Sequence, residues 1–265
     1  MSSGNSMNPR ARLWLLRGIE IAAPMALIAL WWFVSEGSRS LYWPPLRDII
    51  DDFWRTWVFG HWHSHAVPTL TAILLGYAVS LVAGLTIGIA LGLLPSFNEF
   101  VRPALDFFRA APSSASVPLL IILVGVNIQL KIAVVMMAAV WVVIMNTSEA
   151  LAGIDTTIRD TCRSYRLSFW QKLLWVYLPA ASPQVFAGMR VALFQSIILT
   201  IVAEMLASSS GIGTFISAAQ WSFKIVDMWT GIVMVAALSF ALTRAFHHLE
   251  HKVLAWHRGY HRRQS

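Results

Sequence analysis

The sequence predicts an all-α integral membrane protein with about six transmembrane helices. Hydrophobic residues make up 57% of the 265 residues and charged residues only 12%, whereas globular domains carry about 25% charged residues. The apolar residues also gather into runs long enough to cross a bilayer. The net charge of +7 comes from cations that lie between these runs, where they fix the orientation of membrane proteins. We therefore expect a membrane chain with no nucleic-acid partner.

The first element is a basic leader followed by an apolar run. Arg10, Arg12 and Arg17 precede the run from Ile19 to Val34. That run is long for the hydrophobic part of a signal peptide, and Trp31-Trp32-Phe33 is no small-residue cleavage site. The sequence thus predicts an uncleaved first span, followed by an external loop that reaches residue 65.

Five further apolar runs predict the remaining spans. The third span is interrupted by Arg109 and by the stretch from Ala111 to Ser116. A broken span is tolerated only where protein or a water-filled cavity covers its backbone. Spans two to six are Pro68 to Leu94, Leu105 to Val126, Ile132 to Met145, Val185 to Leu206 and Met228 to Phe246.

The distribution of Lys and Arg predicts the orientation of these spans, because cytoplasmic segments carry the excess of cations. With the amino terminus inside, fifteen of the 20 cations fall in inner segments, including Arg102 and Arg109 between the second and third spans. We therefore expect both termini and the polar segment 159–179 to be cytoplasmic. The cations of the outer segments are Arg39, Arg47, Arg55, Lys131 and Lys224.

Small residues recur at every fourth position of the second span. Residues at this interval lie along one stripe of a helix and let another backbone approach closely. The stripe can pack within one subunit, which we favour, or form a seam between two subunits. Its members are Gly76, Ser80, Gly84, Gly88 and Gly92.

The fifth span carries polar residues that are candidates for a translocation path or gate: Gln195, Thr200 and Glu204. An ionisable group at membrane depth suggests a transport path by default. However, a helix that starts near Val185 rises roughly 1.5 Å per residue and brings Glu204 close to the outer interface. A solvated carboxylate that caps the turn Ser208–Gly211 is an equal alternative to a gate.

Two histidine patterns resemble metal sites. The segment from His247 to His251 contains H-x-x-E-H, as in inverted zinc proteases, but no Asp or Glu follows Glu250 to supply a third ligand. His61, His63 and His65 alternate in the first external loop and would share a face only in an extended segment. We therefore expect no metal site and no protease activity.

The polar segment from Arg159 to Pro179 predicts short amphipathic helices with a turn at Leu167-Ser168. Phe169 and Trp170 follow this turn and could fill a groove on a soluble partner, because buried aromatic residues dominate interface energies. Alternatively, the segment could lie flat on the anionic inner leaflet. The chain also contains no G-x-x-x-x-G-K-[ST] sequence, so ATP would have to be bound by a partner.

The same segment resembles the EAA signature of ABC-importer permeases, E-A-A-x-x-x-G followed nine residues later by I-x-L-P. Here the positions are Asp160-Thr161-Cys162, Arg166 and the stretch from Val176 to Pro179. With its flanking motifs, the chain looks like the nitrate, sulfonate and taurine branch over roughly residues 66 to 250. The flanking motifs are Val67 to Leu70, Pro118 to Leu120, Ile201 to Glu204 and Ser209 to Gly213.

This resemblance implies a type I importer permease, multi-pass in the bacterial inner membrane. Two copies would enclose the path, an external binding protein would deliver cargo, and a separate ATPase would bind ATP and Mg, leaving no cofactor or catalytic residue here. It implies a permease domain at 66–250 with a coupling loop at 149–184, and a basic cytoplasmic tail at 251–265. The implied coupling-loop residues are Asp160, Thr161, Cys162, Arg166, Leu167, Ser168, Phe169, Trp170, Leu178 and Pro179.

Two features limit what the resemblance implies. Asp160 stands where the family has Glu, and Arg166 replaces the glycine of the motif. If the turn needs a left-handed residue, arginine adopts that conformation at a cost of about 1 kcal/mol or more.

The resemblance also implies that the cargo is a small solute such as nitrate, a sulfonate or taurine. The alternative function is an ATP-independent channel or secondary carrier.

Overall fold

The computed structural model describes residues 9–256, with side chains from Ala22 onward apart from that of Phe59. Within this part of the chain every regular element is helical. The predicted basic tail, 251–265, begins within the last turn of α11, and its residues from 257 onward lie outside the described residues. The α-helices are α1 (Pro9–Glu36), α2 (Leu46–Phe53), α3 (Val67–Leu93), α4 (Pro95–Ala110), α5 (Val117–Val124), α6 (Ile128–Ala152), α7 (Thr156–Ser164), α8 (Phe169–Gln171), α9 (Leu178–Leu206), α10 (Ile212–Trp221) and α11 (Ile225–Val253).

Within residues 9–256, four continuous helical stretches are long and apolar enough to cross a bilayer. Together α4 and α5 are also apolar enough for a fifth crossing, either as a broken span or as a re-entrant loop, and they are bent by 79°. This bend lies where the sequence predicts an interruption of the third span. In α1, the apolar helix with described side chains is Ala22–Glu36, which is shorter than these four stretches. The predicted first span starts earlier, at Ile19, whose side chain is not among those described. The four continuous stretches are Gly60–Leu93, Ile128–Ala152, Phe169–Leu206 and Ile225–Val253.

The stripe of small residues on α3 lies against α6 of the same chain. A Cβ atom added at any of its four glycines would lie 2.6–2.7 Å from a side-chain atom of α6, closer than packed carbon atoms approach. The remaining member, Ser80, is buried and donates a hydrogen bond to the carbonyl of Gly76, four residues earlier. Because four of the five stripe residues are glycines without a side chain, α3 and α6 can pack closely.

The central core forms where α9 packs onto this helix pair. A Cβ atom at Gly188 of α9 would lie 2.4 Å from Asn146 of α6, so these two helices also approach closely. Tyr77 of α3 donates a hydrogen bond to the carbonyl of Met189. The buried core residues are Ile73, Tyr77, Ala139, Val143, Ala192, Leu193, Ile197 and Phe246.

The predicted external loop after the first span is largely helical. α2 continues into a π-helix over Trp54–Ala66, which in turn continues into α3. Trp57 is buried there and donates a hydrogen bond to Thr230 of α11. Nearby, the rings of Trp31, Trp43 and Trp229 contact one another with centroids 5.4–5.8 Å apart. These tryptophans attach α1 and the loop before α2 to α11.

The helix bundle has two ends, each defined by the loop that connects two of its helices. The loop end is the side where residues 153–177 connect α6 to α9. The opposite end is the side where residues 207–211 connect α9 to α10.

Candidate functional site: the loop between α6 and α9

The loop end begins with two caps that fix the direction of α7. Arg159 donates hydrogen bonds of 2.9–3.2 Å to three backbone carbonyls at and just after the end of α6. A guanidinium at this position satisfies carbonyls that the helix leaves without partners and complements its dipole. Asp155 caps α7 by accepting a hydrogen bond from the backbone of Thr157 at 2.7 Å, and hydrogen bonds from Thr157 lower the pKa of Asp155.

The turn after α7 has the hydrogen bonds of a Schellman motif. The N–H of Leu167 donates to the carbonyl of Cys162 at 3.1 Å, and the N–H of Arg166 donates to that of Arg163 at 2.9 Å. The residue between the helix and the outgoing chain in this motif is left-handed and usually glycine. Arg166 takes that position with φ of 51°. Arg166, which stands at the glycine position of the motif that this segment resembles, therefore forms a left-handed turn, at a cost of about 1 kcal/mol.

The outgoing chain starts a new helix at once. Ser168 and Gln171 form a capping box, in which the Gln171 side chain accepts from the Ser168 N–H at 2.8 Å and the Ser168 hydroxyl accepts from the Gln171 N–H at 3.4 Å. From Phe169 the chain stays helical through a π-helical segment, Lys172–Tyr177, into α9. The sequence S-F-W-Q carries the capping-box signature, a signal that the sequence analysis did not use.

The tip of the loop end presents aromatic side chains to its surroundings. Phe169 and Trp170 are 57% and 65% exposed, and their ring centroids lie 5.4 Å apart in an edge-to-face arrangement. In the same segment, Cys162 of α7 and Leu173 of the following helix are buried. We call the exposed set the aromatic tip; it comprises Tyr165, Phe169, Trp170, Leu174 and Trp175.

The other predicted coupling-loop residues have supporting positions. Asp160 is exposed and pairs with Arg163 at 3.5 Å, and the hydroxyl of Thr161 donates to the carbonyl of Thr157 in its own helix. Leu167 is half-buried at the turn. Leu178 and Pro179 are half-buried at the start of α9, inside the continuous helix rather than at a break in it.

At the opposite end, the predicted gate residue Glu204 is held in a buried hydrogen-bonded cluster. Its carboxylate accepts from Thr69 of α3 at 2.8–2.9 Å, from Lys131 of α6 at 2.9 Å and from the N–H of Gly213 at 3.0 Å. Lys131 also donates to the carbonyl of Ser210 at 2.6 Å. We call Thr69, Lys131 and Glu204 the buried latch, because the three side chains join α3, α6, α9 and the start of α10.

The latch corrects two expectations from the sequence. The Glu204 side chain is 0% exposed, so it is not a solvated carboxylate, although it does hold the turn before α10. Lys131, counted as a cation of an outer loop, is buried and paired with Glu204. An isolated charge of either sign would be very costly at this depth, which explains why the two occur together. Thr69 and the role of Lys131 were not predicted from the sequence.

The remaining path candidates have different environments. Thr200 is buried and donates to the carbonyl of Ser196 in its own helix at 2.7 Å. Gln195 is half-buried five residues earlier on α9. The structure therefore does not bring Gln195 and Thr200 into the cluster that holds Glu204.

The histidine patterns have other partners. Glu250 accepts hydrogen bonds from Arg190 of α9, and the ring nitrogens of His247 and His251 are 2.7 Å apart. Because Trp54–Ala66 is helical, His61 and His65 lie close, with ring centroids 5.4 Å apart. Among the described side chains, no group of three or more His, Cys, Asp and Glu is arranged to hold a metal ion.

Comparisons with known proteins agree with this architecture. The structure is similar to an inward-facing methionine ABC transporter, MetNI, with a TM-score of 0.63 and 18% identity, covering 71% of this chain and 94% of that chain. Among curated relatives, the bicarbonate transport system permease protein CmpB of Synechococcus elongatus is 30% identical over 80% of this chain and 74% of its own length. The taurine transport system permease protein TauC of Escherichia coli is 24% identical over 90% of each chain.

A family model covers most of the helix bundle. It is described as the binding-protein-dependent transport system inner membrane component, and it matches residues 80–255. The match includes the loop end with its aromatic tip, α9 and most of α3. The chain belongs to this family of inner membrane components and is a multi-pass permease of the ABC-importer type.

Proposed function

We propose that two copies of this chain enclose a translocation path and that each docks its aromatic tip into a separate ATPase subunit, which binds ATP and Mg. The exposure of Phe169 and Trp170 on a rigid, capped helix carries this proposal. Burying the exposed parts of both rings removes roughly 200 Å² of apolar surface from water. At about 25 cal/mol per Å² this contributes about 5 kcal/mol to a complex before the entropy of association is subtracted.

The connection between the tip and the membrane supports transmission of motion. The helix that starts at Phe169 continues to Leu206 without a break, over 38 residues. A displacement of the tip by an ATPase would therefore move α9 as well, because Leu178 and Pro179 lie within the same continuous helix. The permease domain proposed for this movement comprises residues 66–250.

The charge of the loop end supports a cytoplasmic orientation. Arg159, Arg163, Arg166 and Lys172 all lie in the connection between α6 and α9, and segments rich in Lys and Arg remain on the cytoplasmic side. The amino terminus and the carboxyl-terminal segment then lie on the same side. In this orientation the opposite end, with the buried latch, faces the external binding protein.

The proposed cargo is a small solute of the kind named for the relatives. Those proteins are described as permeases for bicarbonate, taurine and aliphatic sulfonates. The binding protein would select among such solutes, and the permease would pass the one it receives.

The test is a double substitution at the tip, Phe169→Ala with Trp170→Ala. We expect it to abolish the stimulation of ATPase activity by cargo-loaded binding protein and to leave membrane insertion intact. The matched control is Phe240→Ala, because Phe240 is 70% exposed but lies in the middle of α11, away from both ends of the bundle. Unchanged stimulation in the double variant would remove the docking role.

A further inference from the structure

α4 carries a stripe of charged residues along one face. Glu99, Arg102, Asp106 and Arg109 follow one another at spacings of three, four and three residues, which places them on one side of a helix. The last two form an ion pair at 3.1 Å, with side chains 45% and 55% exposed. This stripe is unusual for a helix that forms half of a membrane crossing.

The end of α4 lies near the middle of the membrane. Phe108 stacks on Trp141 of α6, with ring centroids 5.6 Å apart and an interplanar angle of 2°. Trp141 stands thirteen residues after Ile128, the first residue of α6, and eleven before Ala152, the last. At 1.5 Å per residue these distances are about 20 Å and 17 Å, while the hydrocarbon core is about 30 Å thick. Arg109, adjacent to Phe108, therefore lies close to mid-depth.

α5 completes the crossing on the other side of a break. Val117, its first residue, packs with Leu130, Val134 and Ala203 near the opposite end of the bundle. Between the two helices lie Ala111 and Pro112 and a 3₁₀ turn over Ser113–Ser116. Arg109 is thus positioned directly before non-helical backbone, which at membrane depth must be covered by protein or by a water-filled cavity.

An exposed Arg–Asp pair at this depth cannot face lipid, because charged side chains at mid-membrane face protein or water. We infer that this face of α4 lines the water-filled path, and that Arg109 binds an anionic group of the cargo as it passes. This inference rests on the proposed permease function. The guanidinium presents paired N–H donors that fit a carboxylate, carbonate or sulfonate. Asp106 holds it in place while the path is empty.

The first experiment measures whether water reaches Arg109. Arg109→Cys and Phe107→Cys are compared in the complete importer for reaction with a water-soluble, negatively charged methanethiosulfonate. Phe107 is the matched control, since it is 73% exposed on α4 at nearly the same depth but points about 200° away from Arg109 at 100° per residue. The native chain is the blank, because its single cysteine, Cys162, is buried.

We expect Arg109→Cys to react about tenfold faster than Phe107→Cys, as a side chain in water does relative to one in hydrocarbon or protein. Equal rates would overturn the inference, because the two faces of α4 would then not differ in their access to water. No reaction at either position would also overturn it, because the face would then be covered by lipid or by the second copy of the chain. This result does not depend on which solute is carried.

The second experiment measures uptake of labelled bicarbonate, taurine and butanesulfonate by the complete importer in membrane vesicles. Loss of a charge-assisted contact predicts a fall of about tenfold or more for Arg109→Cys. Modification with a positively charged methanethiosulfonate should restore uptake, whereas a neutral methyl reagent should not. Arg109→Lys should keep more uptake than Arg109→Gln, and Phe107→Cys should behave as native.

Native-like uptake by Arg109→Cys, or equal rescue by the neutral and charged reagents, would overturn the role of the guanidinium. If the native complex retains its ATPase but accumulates none of the three solutes, the contact with an anionic group is contradicted while the permease function stands. A chain that has no ATPase partner at all would contradict the proposed function itself.

Discussion

The two ends of the bundle differ in whether their characteristic side chains are exposed or buried. At the loop end, the aromatic tip leaves large apolar rings exposed on short helices whose backbone is fully capped. At the opposite end, the buried latch encloses a full ion pair, which receives hydrogen bonds from α3 and α10 and donates one to the carbonyl of Ser210. In the proposed function the tip contacts a partner, whereas the contacts of the latch lie within the chain.

This contrast separates residues that act on a partner from residues that maintain the fold. Removing one member of a buried ion pair leaves the other charge uncompensated, and this costs about 3–5 kcal/mol. Truncating an exposed ring costs the isolated chain little, since surface substitutions usually change stability by about 0.5 kcal/mol or less. Substitutions at the two ends should therefore affect different measurements.

The largest expected effect is that of Lys131→Met. The substitution leaves the Glu204 carboxylate buried without its cation, so we expect a loss of about 3–5 kcal/mol of stability. The apparent unfolding midpoint in detergent measures it. Adding Glu204→Gln in the same chain should recover part of the loss, because no charge then remains buried. A midpoint equal to the native one would mean that the latch is not closed in the membrane.

The second effect concerns the close packing of α3 and α6 that both ends share. In Gly88→Val, the new Cβ would lie 2.7 Å from Thr147 and 2.9 Å from the carbonyl of Ile144. Overpacking of this kind costs typically about 1–3 kcal/mol. Val82→Leu is the control, since Val82 is 70% exposed on the same helix and should leave the unfolding midpoint unchanged. Equal midpoints for the two variants would place the stripe in an interface other than the one with α6.

The smallest effect concerns the turn at the loop end, where Arg166→Gly should stabilise the chain. Glycine adopts the left-handed conformation without the penalty that arginine carries, so we expect a gain of about 0.5–1 kcal/mol. Arg163→Gly, inside α7, should instead lose about 1 kcal/mol of helix stability. The two substitutions remove the same charge, and opposite shifts of the midpoint would isolate the backbone effect. A loss in both would show that the Arg166 side chain stabilises the turn.

Features that depend on local spacing could be predicted from the sequence. The broken third span followed from Arg109 and the residues after it, and the small-residue stripe followed from its four-residue period. The left-handed turn followed from the motif position that Arg166 occupies. Each of these depends on residues within one or two helical turns, where the period of the helix fixes which side chains are neighbours.

Features that depend on long-range contacts could not be predicted in the same way. Thr69 and Glu204 are 135 residues apart in the chain, and Lys131 and Glu204 are 73 apart. No periodicity links these positions, so Lys131 was interpreted as a loop cation. The depth of Arg109 was hidden for the same reason, since it depends on the stacking of Phe108 on Trp141.

The most direct test of the docking claim is the composition of the purified complex. The tagged native chain and the Phe169→Ala, Trp170→Ala variant would be purified from native membranes in mild detergent, and the amount of accompanying ATPase would be measured. The account predicts one P-loop ATPase per native chain, and little or none with the variant. A native chain that purifies alone and passes solute without ATP would contradict it and would indicate a channel or secondary carrier instead.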